Sequence, residues 1–115
     1  MKKSLILILM MALSLVGMAQ NGTVLNQRKV CDTTANFTGV LGGGVNFGSG
    51  VAAIGDLNGN GISELVVGAY DVGGKGAVYT MFMNSVGGVD SFKTITEGVG
   101  GFTGTLGNGN RFGYS

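Results

Sequence analysis

The sequence predicts an all-β fold of short antiparallel strands, and three observations predict it. Glycine supplies 24 of 115 residues, while hydrophobic residues still make up 44% of the chain and net charge is only +1. Glycine costs a helix about 1 kcal/mol per position relative to alanine, and ample apolar content at low charge opposes disorder. Four apolar or alternating runs, Val51–Ile54, Glu64–Ala69, Ala77–Met83 and Phe92–Thr96, are separated by Gly/Asn/Asp-rich segments that turn a chain. Finally, a twelve-residue motif recurs without gaps further along the sequence. Collagen is excluded, because proline is absent and no G-X-Y period exists.

Met1-Lys2-Lys3 is a basic start, Leu5 to Val16 is apolar apart from Ser14, and Gly17-Met18-Ala19 places small residues before a cut ahead of Gln20. Those three parts compose a secretory signal peptide over residues 1–19. The apolar run is about a dozen residues, short of the ~20 that cross a bilayer, so no stable membrane span is expected. The protein is therefore expected to be secreted or held at the cell surface. Loss of the leader leaves five basic and six acidic residues. With no histidine and Cys31 as the sole cysteine, Ser-His-Asp and Cys-His catalysis, His/Cys zinc sites and an intramolecular disulfide are all excluded. Cys31 reads as a small hydrophobe or as a partner for a second chain. No basic run is present to hold a phosphate backbone, which argues against nucleic acid as a partner.

The recurring motif begins at Phe37-Thr38-Gly39-Val40-Leu41-Gly42 and ends at Phe47-Gly48; its second copy runs from Phe102 to Gly113, at a constant offset of 65. Eight of the twelve pairs are identical, including both Phe pairs, the Thr pair and the Leu pair. A long fixed period marks units that bury their faces by stacking on one another. Four strands in about 65 residues is the size of a β-propeller blade. The expected organisation is an N-terminal segment over 20–35, one complete repeat over 36–100, and the truncated start of a second repeat over 101–115. A propeller closes with four to eight blades, so this partial propeller would need further blades, from a longer chain or from an oligomer.

Asp56-Leu57-Asn58-Gly59-Asn60-Gly61-Ile62-Ser63-Glu64 is the chemical centre of the sequence. Alternate spacing lets Asp56, Asn58 and Asn60 turn their oxygens toward one point. Gly61 permits the bend, the Ile62 carbonyl adds a neutral ligand, and Glu64 closes the shell. Six or seven oxygens at ~2.3–2.6 Å suit calcium. The pattern starts like an EF-hand loop, but Val67 stands where the closing Glu would be, so the loop runs into a strand. With two formal charges on the ion, affinity is expected at about 10⁻⁴–10⁻³ M. The competing reading is a plain Asn-Gly hairpin turn with a solvated acid at each end.

Phe47-Gly48-Ser49-Gly50-Val51-Ala52, then Gly55 to Gly61, then Glu64-Leu65-Val66-Val67-Gly68-Ala69 resembles the FG-GAP repeat. That repeat builds the seven-bladed β-propeller of integrin α subunits and recurs in bacterial secreted proteins. The resemblance implies a propeller fold and a surface-binding or adhesive role. Asn60 and Glu64 stand where the family usually has Asp, and Tyr70 where it has Pro. In the family the calcium loops sit on one face and partner recognition uses the other. By that likeness the Asp71–Gly76 loop and the segment before Phe47 would face a partner.

The expected function is thus a non-catalytic calcium-binding module that recognises an extracellular protein or glycan. The alternatives are an accessory propeller of a larger secreted hydrolase, or a truncated remnant with no activity of its own. Asp71 and Asp90 are the candidates for an acid/base pair, and each reads better as a solvated turn acid.

Overall fold

Ala77-Val78-Tyr79-Thr80-Met81-Phe82-Met83 combines β-branched, aromatic and unbranched apolar residues, and it forms a central strand of the sheet. The computed structural model describes residues 22–24, 26–33, 36–39 and 41–115. The leader expected over residues 1–19 lies outside them. Four strands, β1 (Phe47–Ala53), β2 (Leu65–Ala69), β3 (Ala77–Met83) and β4 (Val89–Ile95), form one sheet. They lie in the order β1-β2-β3-β4, each antiparallel to the next, as an open meander. This is the all-β, four-stranded blade that the sequence predicts.

Two strands begin earlier than their apolar runs suggest. Gly48 takes φ of 88°, and the register shift between Phe47 and Val51 lets Phe47 pair with Ala69. A second shift at Phe82/Met83 brings Val89 opposite Met83, so β4 starts at Val89 and not at Phe92. Both are bulges, which no apolar pattern announces.

Strand alternation puts Val67 and Ala69 of β2 on the same face as Ala77, Tyr79, Met81 and Met83 of β3, and all six are buried. Phe37 completes this core from outside the sheet, fully buried, with ring centroids 5.4 Å from Phe47, 5.5 Å from Tyr79 and 4.8 Å from Phe92. Tilted and edge-on ring pairs at these distances are favourable beyond the area they bury. The residues before β1 are therefore part of the blade.

The sequence repeat is also a repeat of conformation. Phe102 and Phe112 stand 5.2 Å apart, as Phe37 and Phe47 do at 5.4 Å. Gly44, Asn46 and Gly48 have φ of 87°, 53° and 88°; Gly109, Arg111 and Gly113 have 82°, 51° and 83°. The turn bonds match too: Val45 N–H donates to the Gly42 carbonyl and Asn110 N–H to that of Gly107, at 3.4 and 3.2 Å. What differs is coverage, since Phe102 is only half-buried.

The second copy crosses the opposite face of the sheet. Gly109 N–H donates to the Gly74 carbonyl at 2.7 Å and Phe112 N–H to that of Lys75 at 3.0 Å. Ser49 Oγ lies 3.1 Å from the Gly113 carbonyl. An ion pair between Lys75 and Glu97 lies in the same region, and that bond holds the Glu97 carboxyl below its usual range. Backbone lies directly on backbone where Gly113 meets Gly68, and a Cβ at Gly68 would collide with the Gly113 carbonyl. Gly68→Ala is accordingly expected to lift residues 112–115 off the sheet at a cost of about 1–3 kcal/mol. Faster hydrogen exchange at the Phe112 and Tyr114 amides, with the β3 amides still protected, would report it.

Candidate metal centre

The loop between β1 and β2 is closed at its base by two backbone bonds. Ile54 N–H donates to the Glu64 carbonyl at 3.0 Å and Glu64 N–H to the Gly55 carbonyl at 2.9 Å. Within that frame the acid and the amides wind the chain round themselves. Asp56 Oδ1 accepts from the N–H groups of Gly59 (2.7 Å) and Asn60 (3.1 Å), and Oδ2 accepts from Gly61 at 2.8 Å. Asn58 Oδ1 also accepts from Asn60 N–H, at 3.0 Å. Asn60 Oδ1 accepts from Ile62 N–H at 2.7 Å. Gly61 has φ of 82°, the left-handed bend that glycine adopts without a Cβ penalty. Successive N–H donors, Gly61 foremost, hold the Asp56 carboxyl below its usual range against a smaller opposing push from desolvation.

Two contacts tie this loop to the body of the blade. Asn60 Nδ2 donates to the Met83 carbonyl at the end of β3, at 2.9 Å. Glu64 is fully buried, and its Oε2 accepts from Leu57 N–H at 2.6 Å. Its other oxygen, Oε1, is buried with no hydrogen-bond partner. A carboxylate oxygen in that state is costly unless something cationic or a donor meets it.

The structure therefore brings Asp56, Asn58, Asn60, Ile62 and Glu64 into one loop, and gives Asp56 and Glu64 different settings, one exposed and one buried. Among the described residues no group of three or more His, Cys, Asp or Glu side chains gathers, so the loop offers two carboxylates and otherwise neutral oxygens. An oxygen-only donor set of this kind fits calcium, and the orphaned Glu64 Oε1 is the feature it would satisfy.

Sequence reasoning did not find the Asn60–Met83 bond or the Leu57 donor to Glu64, since neither follows from ligand spacing. The acids considered for catalysis lie apart, Asp71 in the turn after β2 and Asp90 not in a turn but within β4. Asp71 accepts from Asn46 Nδ2 at 2.8 Å, and Asp90 from Asn84 Nδ2 at 2.7 Å. Cys31 is half-buried, its Sγ 3.2 Å from the Thr33 hydroxyl. Among the described residues no helix is long and apolar enough to cross a membrane.

Residues 47–81 match the family model of the FG-GAP repeat. The matched stretch opens at Phe47, the first residue of β1, spans the whole loop, and ends within β3. No curated protein and no solved structure matches the chain.

Proposed function

With an FG-GAP repeat at residues 47–81 as the premise, we propose that the chain is a non-catalytic extracellular binding module whose β1–β2 loop takes a calcium ion. FG-GAP repeats are typically structural or binding modules and typical of extracellular proteins. The observation that carries the metal reading is the buried, unpartnered Oε1 of Glu64, in a loop where three other side chains and a carbonyl supply oxygen. Asp56, Asn58, Asn60, the Ile62 carbonyl and Glu64 would hold the ion. It would supply no reaction chemistry, only charge that fixes the corner between two strands.

The conformational repeat supports the rest of the reading. Phe102 and Phe112 adopt the arrangement of Phe37 and Phe47, and among the described residues no equivalent of Tyr79 and Phe92 lies above them. Further blades, from a longer chain or from an oligomer, would provide that cover, and the assembled edges would present a rigid surface to an extracellular protein or glycan.

Amide resonances test the metal directly. Millimolar calcium is expected to shift the Leu57, Gly59, Asn60, Gly61 and Ile62 amides, all of which donate to candidate ligand side chains or stand between them. Glu64→Gln keeps the shape and removes the charge, and is expected to weaken this response by about tenfold or more. Loop amides that stay fixed in calcium would sink the metal reading.

A further inference from the structure

A second candidate site, open and shallow, lies at the other end of the β1–β2 hairpin. The loop of residues 54–64 joins the C-terminal end of β1 to the start of β2, whereas Phe47 and Tyr70 stand at the opposite end, about 20 Å away at ~3.3 Å per residue. There a groove of about 460 Å³ is lined by Asn46, Phe47, Ser49, Tyr70, Tyr114 and neighbouring backbone.

The groove is built from aromatic faces and polar tips. The Tyr70 and Tyr114 rings meet edge-on with centroids 5.0 Å apart, and Tyr114 is 56% exposed. The Arg111 guanidinium lies over the Tyr70 ring, 5.9 Å from its centroid. Asn46 uses both amide hydrogens on protein acceptors, the Gly44 carbonyl and Asp71 Oδ2, each at 2.8 Å. Its Oδ1 is thereby oriented as an acceptor. Ser49 has one hydroxyl hydrogen, with the Gly113 and Gly68 carbonyls at 3.1 and 3.4 Å, and keeps acceptor capacity.

The differences between the two copies of the repeat include these places. Phe47 and Gly48 recur as Phe112 and Gly113, but Asn46 becomes Arg111 and Ser49 becomes Tyr114. The first change is unfavourable for the backbone. Both residues lie in the left-handed region, at φ of 53° and 51°, which Asn tolerates far better than Arg. A backbone cost accepted at one copy, where the guanidinium lies over the half-buried Tyr70 ring beside exposed Tyr114, points to function and away from packing.

We propose that this groove binds a neutral saccharide, with a sugar ring against the Tyr70–Tyr114 pair and hydroxyls meeting Asn46 and Ser49. The proposal rests on the reading of the chain as a binding module and names its ligand class; it does not depend on the calcium loop. The volume falls within the range of small-ligand sites. Lining groups that are tyrosine and phenylalanine rings, amide, hydroxyl and backbone, without an aliphatic side chain, match a ligand with apolar C–H faces and many hydroxyls. Arg111 and Asp71 place one charge of each sign beside the groove, which favours a neutral ligand over an acidic one.

A saccharide microarray displaying neutral and acidic oligosaccharides at high density, probed with the whole chain, tests this. A group of neutral saccharides is expected to retain the chain, with at least about tenfold weaker binding by Tyr114→Ala and by Arg111→Asn. Because Arg111→Asn restores the residue of the first copy, its melting temperature is expected to stay level or rise as binding falls. No saccharide bound above the level of the doubly substituted chain overturns the proposal, as does binding confined to acidic saccharides or binding that both substitutions leave intact. The calcium response is read separately from the loop amides, so failure of either reading leaves the other visible.

Discussion

Phe37→Ala is expected to lower the stability of the blade by about 3–5 kcal/mol, enough to leave much of a domain this small unfolded at 37 °C. Phe37 is fully buried and touches rings from β1, β3 and β4, so its loss opens a cavity shared by three strands. The flanking structure has little means to collapse into that space, because Tyr79 and Phe92 are fixed by their own strands. The equivalent substitution in the second copy, Phe102→Ala, is expected to cost only about 1–2 kcal/mol, since Phe102 is half-buried and its main aromatic partner is Phe112. Urea denaturation of both variants measures the contrast. Equal losses would show that the two copies are seated alike, contrary to the structure.

Asp56→Ala is expected to abolish every calcium-dependent gain in stability. It removes a charged candidate ligand and also the acceptor of three N–H groups, those of Gly59, Asn60 and Gly61. The loop is thus expected to loosen even in chelator, with faster amide exchange at those three residues. Asp56→Asn separates the effects in part, because its single amide oxygen can still accept from Gly59 and Asn60 while the charge and the acceptor for the Gly61 N–H are lost. The pH dependence has a definite sign. N–H donors hold the folded-state pKa of Asp56 below that of an unfolded aspartate, so its contribution is complete above about pH 4. It is lost as pH falls through the depressed folded value. A stability profile between pH 2 and 5 is expected to lose this part of its acid slope in Asp56→Ala.

Much of this architecture was legible in the sequence, for physical reasons that can be located. The β3 span is legible residue for residue, because Ala77–Met83 is an unbroken strand-forming run bounded by Gly76 and Asn84. The loop was legible because alternate oxygen-bearing residues ending in Gly61 constrain the backbone whether or not an ion is bound. The starts of β1 and β4 were not, since each depends on a bulge set by partner strands and not by local pattern. The groove beside Tyr70 was not legible either. It depends on the second copy folding back across the sheet until Tyr114 meets Tyr70, a contact between residues 44 positions apart that no spacing rule supplies. The offset-65 self-match is the one sequence signal that bears on it, since Asn46 and Arg111 are mismatched within it and Tyr114 directly follows it.

Thermal melting of the chain in 10 mM calcium against excess chelator tests the loop most directly. For affinities of about 10⁻⁴–10⁻³ M, binding to the folded state alone adds about 1.4–2.7 kcal/mol, which raises Tm by several degrees. A rise of that size, absent in Asp56→Ala, is the predicted result. Superimposable melts in calcium and in chelator would contradict the account.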